Sequence, residues 1–253
     1  MEQRISSLSV VLPCFNEELV IQETLEKSIS YLRRLSFPFE VIVVNDGSLD
    51  RTCEILEELR GLYPEMLLVH HAKNRGYGQA IASGFNAARN EWLFLMDADG
   101  QFDIRELDSL LPFASGYDMV LGYRASRADP WHRVLFTRWY QWTLRGCMGL
   151  RLRDVGCAFK LFSRKSWRAS QPIHSRDHKI FIAEWLYKSI QNRCRYQEVA
   201  VSHYPRLRGR ATGARLDVIG VTLKALVSLV WRERIKRSFR GHLLFQEERG
   251  REV

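Results

Sequence analysis

Leu93-Phe94-Leu95-Met96-Asp97-Ala98-Asp99-Gly100-Gln101 sets an apolar run directly against two carboxylates one residue apart. The run reads as a buried strand, and the acids fall at its carboxyl end. The same pattern recurs towards the N-terminus. Leu8 to Pro13 is apolar and is followed by Cys14-Phe15-Asn16-Glu17. Phe39 to Val44 is apolar and ends in Asn45-Asp46-Gly47-Ser48, a strong turn signal. Met66 to His71 is a further strand. Between these runs the period changes to that of a helix. Glu17 to Arg34 places Ile21, Leu25, Ile29 and Leu32 on one face; Asp50 to Leu62 and Gly78 to Arg89 also read as helices. Strands alternating with helices predict an α/β fold with a Rossmann-like, mostly parallel sheet covered on both faces. Ligands of such sheets bind at the carboxyl ends of the strands. Three polar clusters sharing that rim predict a site there.

Beyond Gln101 the reading is a helix over Ile104 to Phe113, a strand over Asp118 to Tyr123 and an aromatic, arginine-rich helix over Trp131 to Met148. Cys157 to Phe162 reads as a strand, Ile180 to Asn192 as a helix and Tyr196 to Tyr204 as a strand. A basic, glycine-containing loop, Arg206 to Arg215, leads to a final helix, Leu216 to Phe239, apolar first and basic afterwards. With no linker in sight, residues 1–215 are expected to form one catalytic domain and 216–253 an amphipathic basic helix and tail. The 253 residues, 46% hydrophobic, suffice for such a domain. The N-terminus lacks the basic stretch and apolar core of a signal peptide. No apolar run reaches the roughly 20 residues of a membrane-spanning helix. Five scattered cysteines without a Cys-x-x-Cys pair suit reduced thiols and a cytoplasmic protein.

Net charge is +9, and Arg206 to Arg240 alone carries ten Lys/Arg against two acids. A basic segment can face nucleic acid, anionic lipid or phosphorylated substrates. Nucleic acid is the poorest fit, because acids at the rim repel phosphates unless a metal intervenes. Asp97 and Asp99 can share Mg²⁺ or Mn²⁺, hard cations that take oxygen ligands and bridge to substrate phosphates, with Gln101 adding a carbonyl oxygen. Such a cation neutralises a departing diphosphate.

Four segments in order, Val11 to Glu18, Val44 to Thr52, Asn74 to Gly78 and Asp97 to Gln101, resemble the family-two glycosyltransferases, which have the GT-A fold. The resemblance is greatest to the branch that glycosylates dolichyl or polyprenyl phosphate and covers roughly residues 8 to 215. It implies inverting, metal-assisted transfer of a sugar from a GDP- or UDP-linked donor to a lipid phosphate. By resemblance Pro13, Phe15 and Glu17 line the nucleoside pocket and Asp46 hydrogen-bonds the base. Asp97, Ala98 and Asp99, with Gln101, hold metal and donor diphosphate. Other readings stay open: Pro13 suits a strand end, Phe15 a core, Glu17 a helix start, and Asp46 an Asx-turn.

The resemblance also places an acceptor-phosphate grip on Arg124, Arg133 and Thr137, with Asp99 as the central catalytic carboxylate. Arg133 and Thr137 are four apart and share a helical face, which also fits ordinary surface residues. Arg206 and Arg208, in the basic loop, are the candidates to close over the diphosphate. Asp154-Val155-Gly156-Cys157-Ala158-Phe159-Lys160 resembles the family's Asp-Pro-x-Ser-Gly-Phe segment without its Pro and Ser. Asp154 then serves the acceptor side or caps a strand. A hydroxyl acceptor (polysaccharide, glycolipid or protein) is the alternative and would need a general base, with Asp103 or Asp154 the first candidates. Val218 to Val230, followed by Arg232, Arg234, Lys236, Arg237 and Arg240, either lies on an anionic membrane surface or packs on the sheet.

Overall fold

The computed structural model describes residues 5–125, 131–175, 180–206 and 225–233, the side chains of 131–137 excepted. The chain falls into two units, 1–212 and 213–253. Of the second unit, residues 225–233 are described and helical. Among the described residues the first unit carries seven strands: β1 Leu8–Cys14, β2 Phe39–Asn45, β3 Met66–His70, β4 Trp92–Met96, β5 Met119–Arg124, β6 Phe159–Ser163 and β7 Tyr196–Val201. They form one sheet in the order β3-β2-β1-β4-β6-β5-β7. All run parallel except β6, which is antiparallel to both neighbours. The helices are α1 Ile21–Leu32, α2 Thr52–Leu62, α3 Tyr77–Ala87, α4 Trp131–Met148, α5 Arg164–Ala169 and α6 Phe181–Gln191.

The apolar runs become strands because both of their faces are covered. Every residue of β1 and β4 is buried. On one face Leu8, Val10 and Leu12 pack with Ile21, Leu25 and Ile29 of α1 and Leu56 of α2. The three α1 side chains are fully buried, each worth about 2 kcal/mol relative to exposure. On the other face Phe85 of α3 meets Phe162 of β6 and Trp185 of α6 edge-on, at centroid distances of 4.8 and 5.4 Å.

Helix α3 approaches the sheet through a glycine. A Cβ at Gly84 would run into Val11 Cγ1 and stand 3.1 Å from Val44 Cγ2. Gly84→Ala is therefore expected to cost about 1–3 kcal/mol by overpacking. A urea midpoint equal to that of the parent chain would show that α3 is not seated as described.

Pro13 fits inside a central strand because β4 pairs with β1 only from Leu8 to Val11. Its missing N–H falls where that ladder has already parted. The helix expected over Ile104 to Phe113 is instead two 3₁₀ turns, Ile104–Ser109 and Leu111–Ser115. Pro112 explains the break: it offers no N–H and its ring crowds the preceding turn. The sheet reverses winding at β1, with β2 and β3 to one side and β4 to the other. That is where an open α/β sheet leaves a crevice at its carboxyl edge.

Candidate active site

The loops after β1 and β2 are laced together. Asn16, in a left-handed conformation with φ of 57°, accepts the Leu49 N–H through Oδ1 at 2.8 Å. Its own N–H donates to Ser48 Oγ at 3.0 Å. The Glu17 N–H donates to Thr52 Oγ1 at 2.9 Å. These bonds fix where Phe15 and Glu17 stand. Gly47, at φ +70°, is required because a Cβ there would lie 2.5 Å from the Lys73 carbonyl carbon. Next to it is a cavity of about 380 Å³ bordered by Phe15, Gly47, Ser48, Leu49, His70 and Lys73. That is within the size range of small-ligand sites.

Of the four residues expected in a nucleoside pocket, Phe15 borders this cavity, and Pro13, Glu17 and Asp46 do not. Pro13 is buried in β1 opposite Val44 and does not border the cavity. Asp46 is 3% exposed and turned towards its own chain. Its Oδ1 accepts the Arg75 N–H at 2.9 Å and pairs with His71 Nδ1 at 2.6 Å; its Oδ2 accepts the Gly76 N–H at 2.9 Å. His71 Nε2 continues to Ser83 Oγ at 2.9 Å. Asp46 thus holds the loop between β3 and α3. Its neighbour makes the local side-chain bond of this turn: Ser48 N–H donates to Asn45 Oδ1, three residues back, at 3.0 Å. His71 was given no role by sequence reasoning. Its only signal is its place at the end of the third strand, β3.

Asp97 and Asp99 follow β4 at the reversal of winding. Tyr77, at the start of α3, donates its hydroxyl to Asp97 Oδ1 at 2.7 Å. Burial, and then the neighbouring Asp99 charge, push the Asp97 carboxyl up to about 7. Two crowded carboxylates of this kind fit a hard divalent cation, which would offset both the burial and the repulsion. Ala98 between them is 2% exposed and joins the core, so only its backbone faces the crevice edge. Gln101 donates its amide to the Tyr204 carbonyl at 2.9 Å, which leaves its oxygen as the side-chain atom able to meet a metal. Among the described residues no group of three His, Cys, Asp or Glu is arranged to hold a metal. The chain offers a partial oxygen set, as Mg²⁺ sites completed by substrate phosphate do.

A cation of the protein already lies across these acids. Arg206 pairs with Glu17 through Nη2, and its Nη1 is 3.6 Å from Asp99 Oδ2. Burial raises the Glu17 carboxyl and Arg206 draws it back. The segment is anchored by two bonds to Gln101, the amide bond above and Tyr204 N–H to Gln101 O at 2.9 Å.

On the far side of β6, Arg124 ends β5 at the same rim. Asp154 takes it bidentately, Nε to Oδ2 at 2.7 Å and Nη2 to Oδ1 at 3.0 Å, with the side chains 15% and 3% exposed. Arg124 reaches Asp97 electrostatically and helps keep it ionised. Asp154 is therefore an orienting partner for Arg124. The side chains of Arg133 and Thr137, and all of Arg208, lie outside the described residues. The structure thus brings Phe15, Glu17, Asp97, Asp99, Gln101, Arg124 and Arg206 to one edge of the sheet.

The glycosyl transferase family 2 model matches residues 9–169. An undecaprenyl-phosphate 4-deoxy-4-formamido-L-arabinose transferase of Pectobacterium atrosepticum is 35% identical over 175 residues, 68% of this chain and 53% of that protein. The Proteus mirabilis protein of the same name is 30% identical over 90% of this chain and 69% of its own length. The chain thus spans only about half the length of the first of these relatives. Among solved structures, a glucosyl-3-phosphoglycerate synthase from Mycobacterium tuberculosis with Mn²⁺, UDP-glucose and phosphoglyceric acid superposes with a TM-score of 0.65 at 19% identity, over 88% of this chain and 78% of that one. A mannosyltransferase from Pyrobaculum calidifontis with GDP-mannose and Mn²⁺ gives 0.61 at 17% identity, over 92% and 65%. At such identities these two speak for the fold, which is the GT-A fold. The matched span and the relatives together settle one point: the chain belongs to glycosyl transferase family 2.

Proposed function

We propose that the chain transfers a sugar from a nucleotide-sugar to a polyprenyl phosphate, in one displacement with inversion at the anomeric carbon. The observation that carries the reading is the order of groups along the rim: a cavity of about 380 Å³, then Glu17, Asp97 and Asp99, then Arg124 held by Asp154. The printed names of the relatives support undecaprenyl phosphate as the acceptor class. The neighbours that hold UDP-glucose or GDP-mannose with Mn²⁺ support the donor class and the metal.

Asp97 and Asp99, with Gln101, would hold Mg²⁺ or Mn²⁺, which supplies charge neutralisation to the departing diphosphate. The chain's own residues do the rest. Phe15 borders the space for the nucleoside. Arg206 exchanges Glu17 for diphosphate oxygens as the donor seats. Arg124 draws in the acceptor phosphate, whose second pKa of about 6 leaves it ionised near neutrality. One phosphate oxygen forms the new bond to the anomeric carbon as the bond to the diphosphate breaks, and the nucleoside diphosphate leaves with that electron pair. No proton has to be removed, so no strong base is needed. The two acids considered as bases for a hydroxyl acceptor are otherwise engaged. Asp103 caps a 3₁₀ turn and pairs with Arg105, and Asp154 is bound by Arg124.

A lipid acceptor implies peripheral association with the cytoplasmic face of a membrane. No helix among the described residues is long and apolar enough to cross one. The test is a panel of UDP- and GDP-sugars with short polyprenyl phosphates, with and without Mn²⁺, read by product mass. A lipid-linked sugar is expected from one donor. Absence of any lipid-linked product with every donor, at full occupancy of donor and metal, would refute the acceptor.

A further inference from the structure

Lys160 is the second residue of β6 and is fully buried. It stands in register with Leu95 of β4 and Leu121 of β5, and Leu121 in turn with Glu198 of β7. Its chain neighbours Phe159 and Leu161 join the core on the α1 side of the sheet. By the alternation of a strand Lys160 faces the other side, as does Phe162, which meets Phe85 and Trp185 there. Because β6 runs antiparallel to β4, its first residues lie at the rim that carries Asp97 and Asp99. Among the described residues the Lys160 Nζ has no hydrogen-bond partner. Burial pushes its amine down; Cys157 and the Asp154 and Glu198 carboxylates draw it back up, and the Arg124 guanidinium adds to the push. A buried donor without an acceptor destabilises a fold. Lys160 therefore costs stability that no bond among the described residues offsets.

Arg124 gives Nε and Nη2 to Asp154. An acceptor phosphate that takes this edge of the guanidinium must draw it off the carboxylate. Asp154, whose side chain is 3% exposed, then loses its bidentate partner in a place where a carboxylate needs a compensating charge. We infer that Lys160 is a positioning residue for the acceptor: its amine closes on Asp154 as the phosphate draws Arg124 away. The other carboxylate acting on Lys160, Glu198, already accepts the Arg153 N–H at 2.7 Å. Lysine suits the task because its ammonium is a compact charge on a flexible stem and can turn towards a new acceptor. The inference rests on the proposed acceptor phosphate and on its grip by Arg124.

Lys160→Met keeps the length of the side chain and removes the amine. It is expected to raise the melting temperature of the metal-free chain by about 2 °C or more, because an unsatisfied donor is gone. The same variant should raise the KM for a short polyprenyl phosphate about tenfold or more, the scale of one charge-assisted hydrogen bond. The KM for whichever UDP- or GDP-sugar the parent chain uses should not change. A merely structural lysine would not weaken acceptor use in a chain that has become more stable. A lower melting temperature would show that the amine is already satisfied at rest and would overturn the inference. An unchanged acceptor KM, or an equal rise in the donor KM, would overturn it too. The second variant is Asp154→Asn, which keeps the shape and removes the charge that Lys160 would meet. In that background Lys160→Met should change the acceptor KM by less than about twofold. A further tenfold rise would mean that Lys160 does not act through Asp154. Failure of the parent chain to use any polyprenyl phosphate refutes the acceptor reading itself. A parent that uses one, matched by Lys160→Met, refutes the role of Lys160 alone.

Discussion

Asp99→Asn is expected to lower sugar transfer by roughly 10³-fold, the scale of removing a principal charge-stabilising group from a reaction centre, while leaving the protein more stable without metal. The two effects share a cause. The carboxyl of Asp97 is raised to about 7 by burial and by the charge of Asp99. An acid with a raised folded-state value favours the folded state when protonated. The penalty is absent below its unfolded value of about 4, grows as pH rises to about 7, and is complete above that. The metal-free protein should therefore lose stability across this window. Mn²⁺ should raise the melting temperature more at pH 8 than at pH 5.5. In Asp99→Asn the pH slope should flatten and the response to Mn²⁺ should shrink. Normal transfer by this variant in the presence of chelator would remove the metal from the mechanism.

The second large effect is expected at Arg124 and Asp154. Removing either partner deprives the other of a bidentate pair in a site where the two side chains are 15% and 3% exposed. Arg124→Met and Asp154→Leu should each cost about 3–5 kcal/mol of stability. The double variant should recover part of that loss, because the pair is removed whole. Function should separate from stability in the same cycle. The restored double variant is expected to keep donor binding and to show at least tenfold weaker use of lipid phosphate. A double variant with the parent's acceptor KM would show that the pair only props up the sheet edge.

Much of this architecture was legible in the sequence because β1 to β4 are largely apolar runs, each followed by a polar segment. The acids at the ends of β1 and β4 could be placed on one edge before any contact was known. What escaped was non-local. Nothing within Phe159 to Ser163 indicates that the segment inserts antiparallel between β4 and β5; that depends on partners many residues away. The Arg124–Asp154 pair spans 30 residues and is invisible to local spacing. Asp46 illustrates a different loss. A carboxylate after a strand suggests an open ligand, but the tight loop at Lys73 to Gly76 presents N–H groups that need an acceptor, and Asp46 is the nearest one. The final helix was predicted over Leu216 to Phe239, of which only 225–233 are described, as helix.

The guanidinium bridging Glu17 and Asp99 has a kinetic corollary. An incoming free ion must compete with a tethered one already in residence. The favoured order of addition is then metal together with nucleotide, because the diphosphate offers that arginine a new anion at the moment it is displaced. Leaving follows the same rule in reverse, so spent nucleoside diphosphate with its ion should depart as a unit and inhibit competitively against the donor.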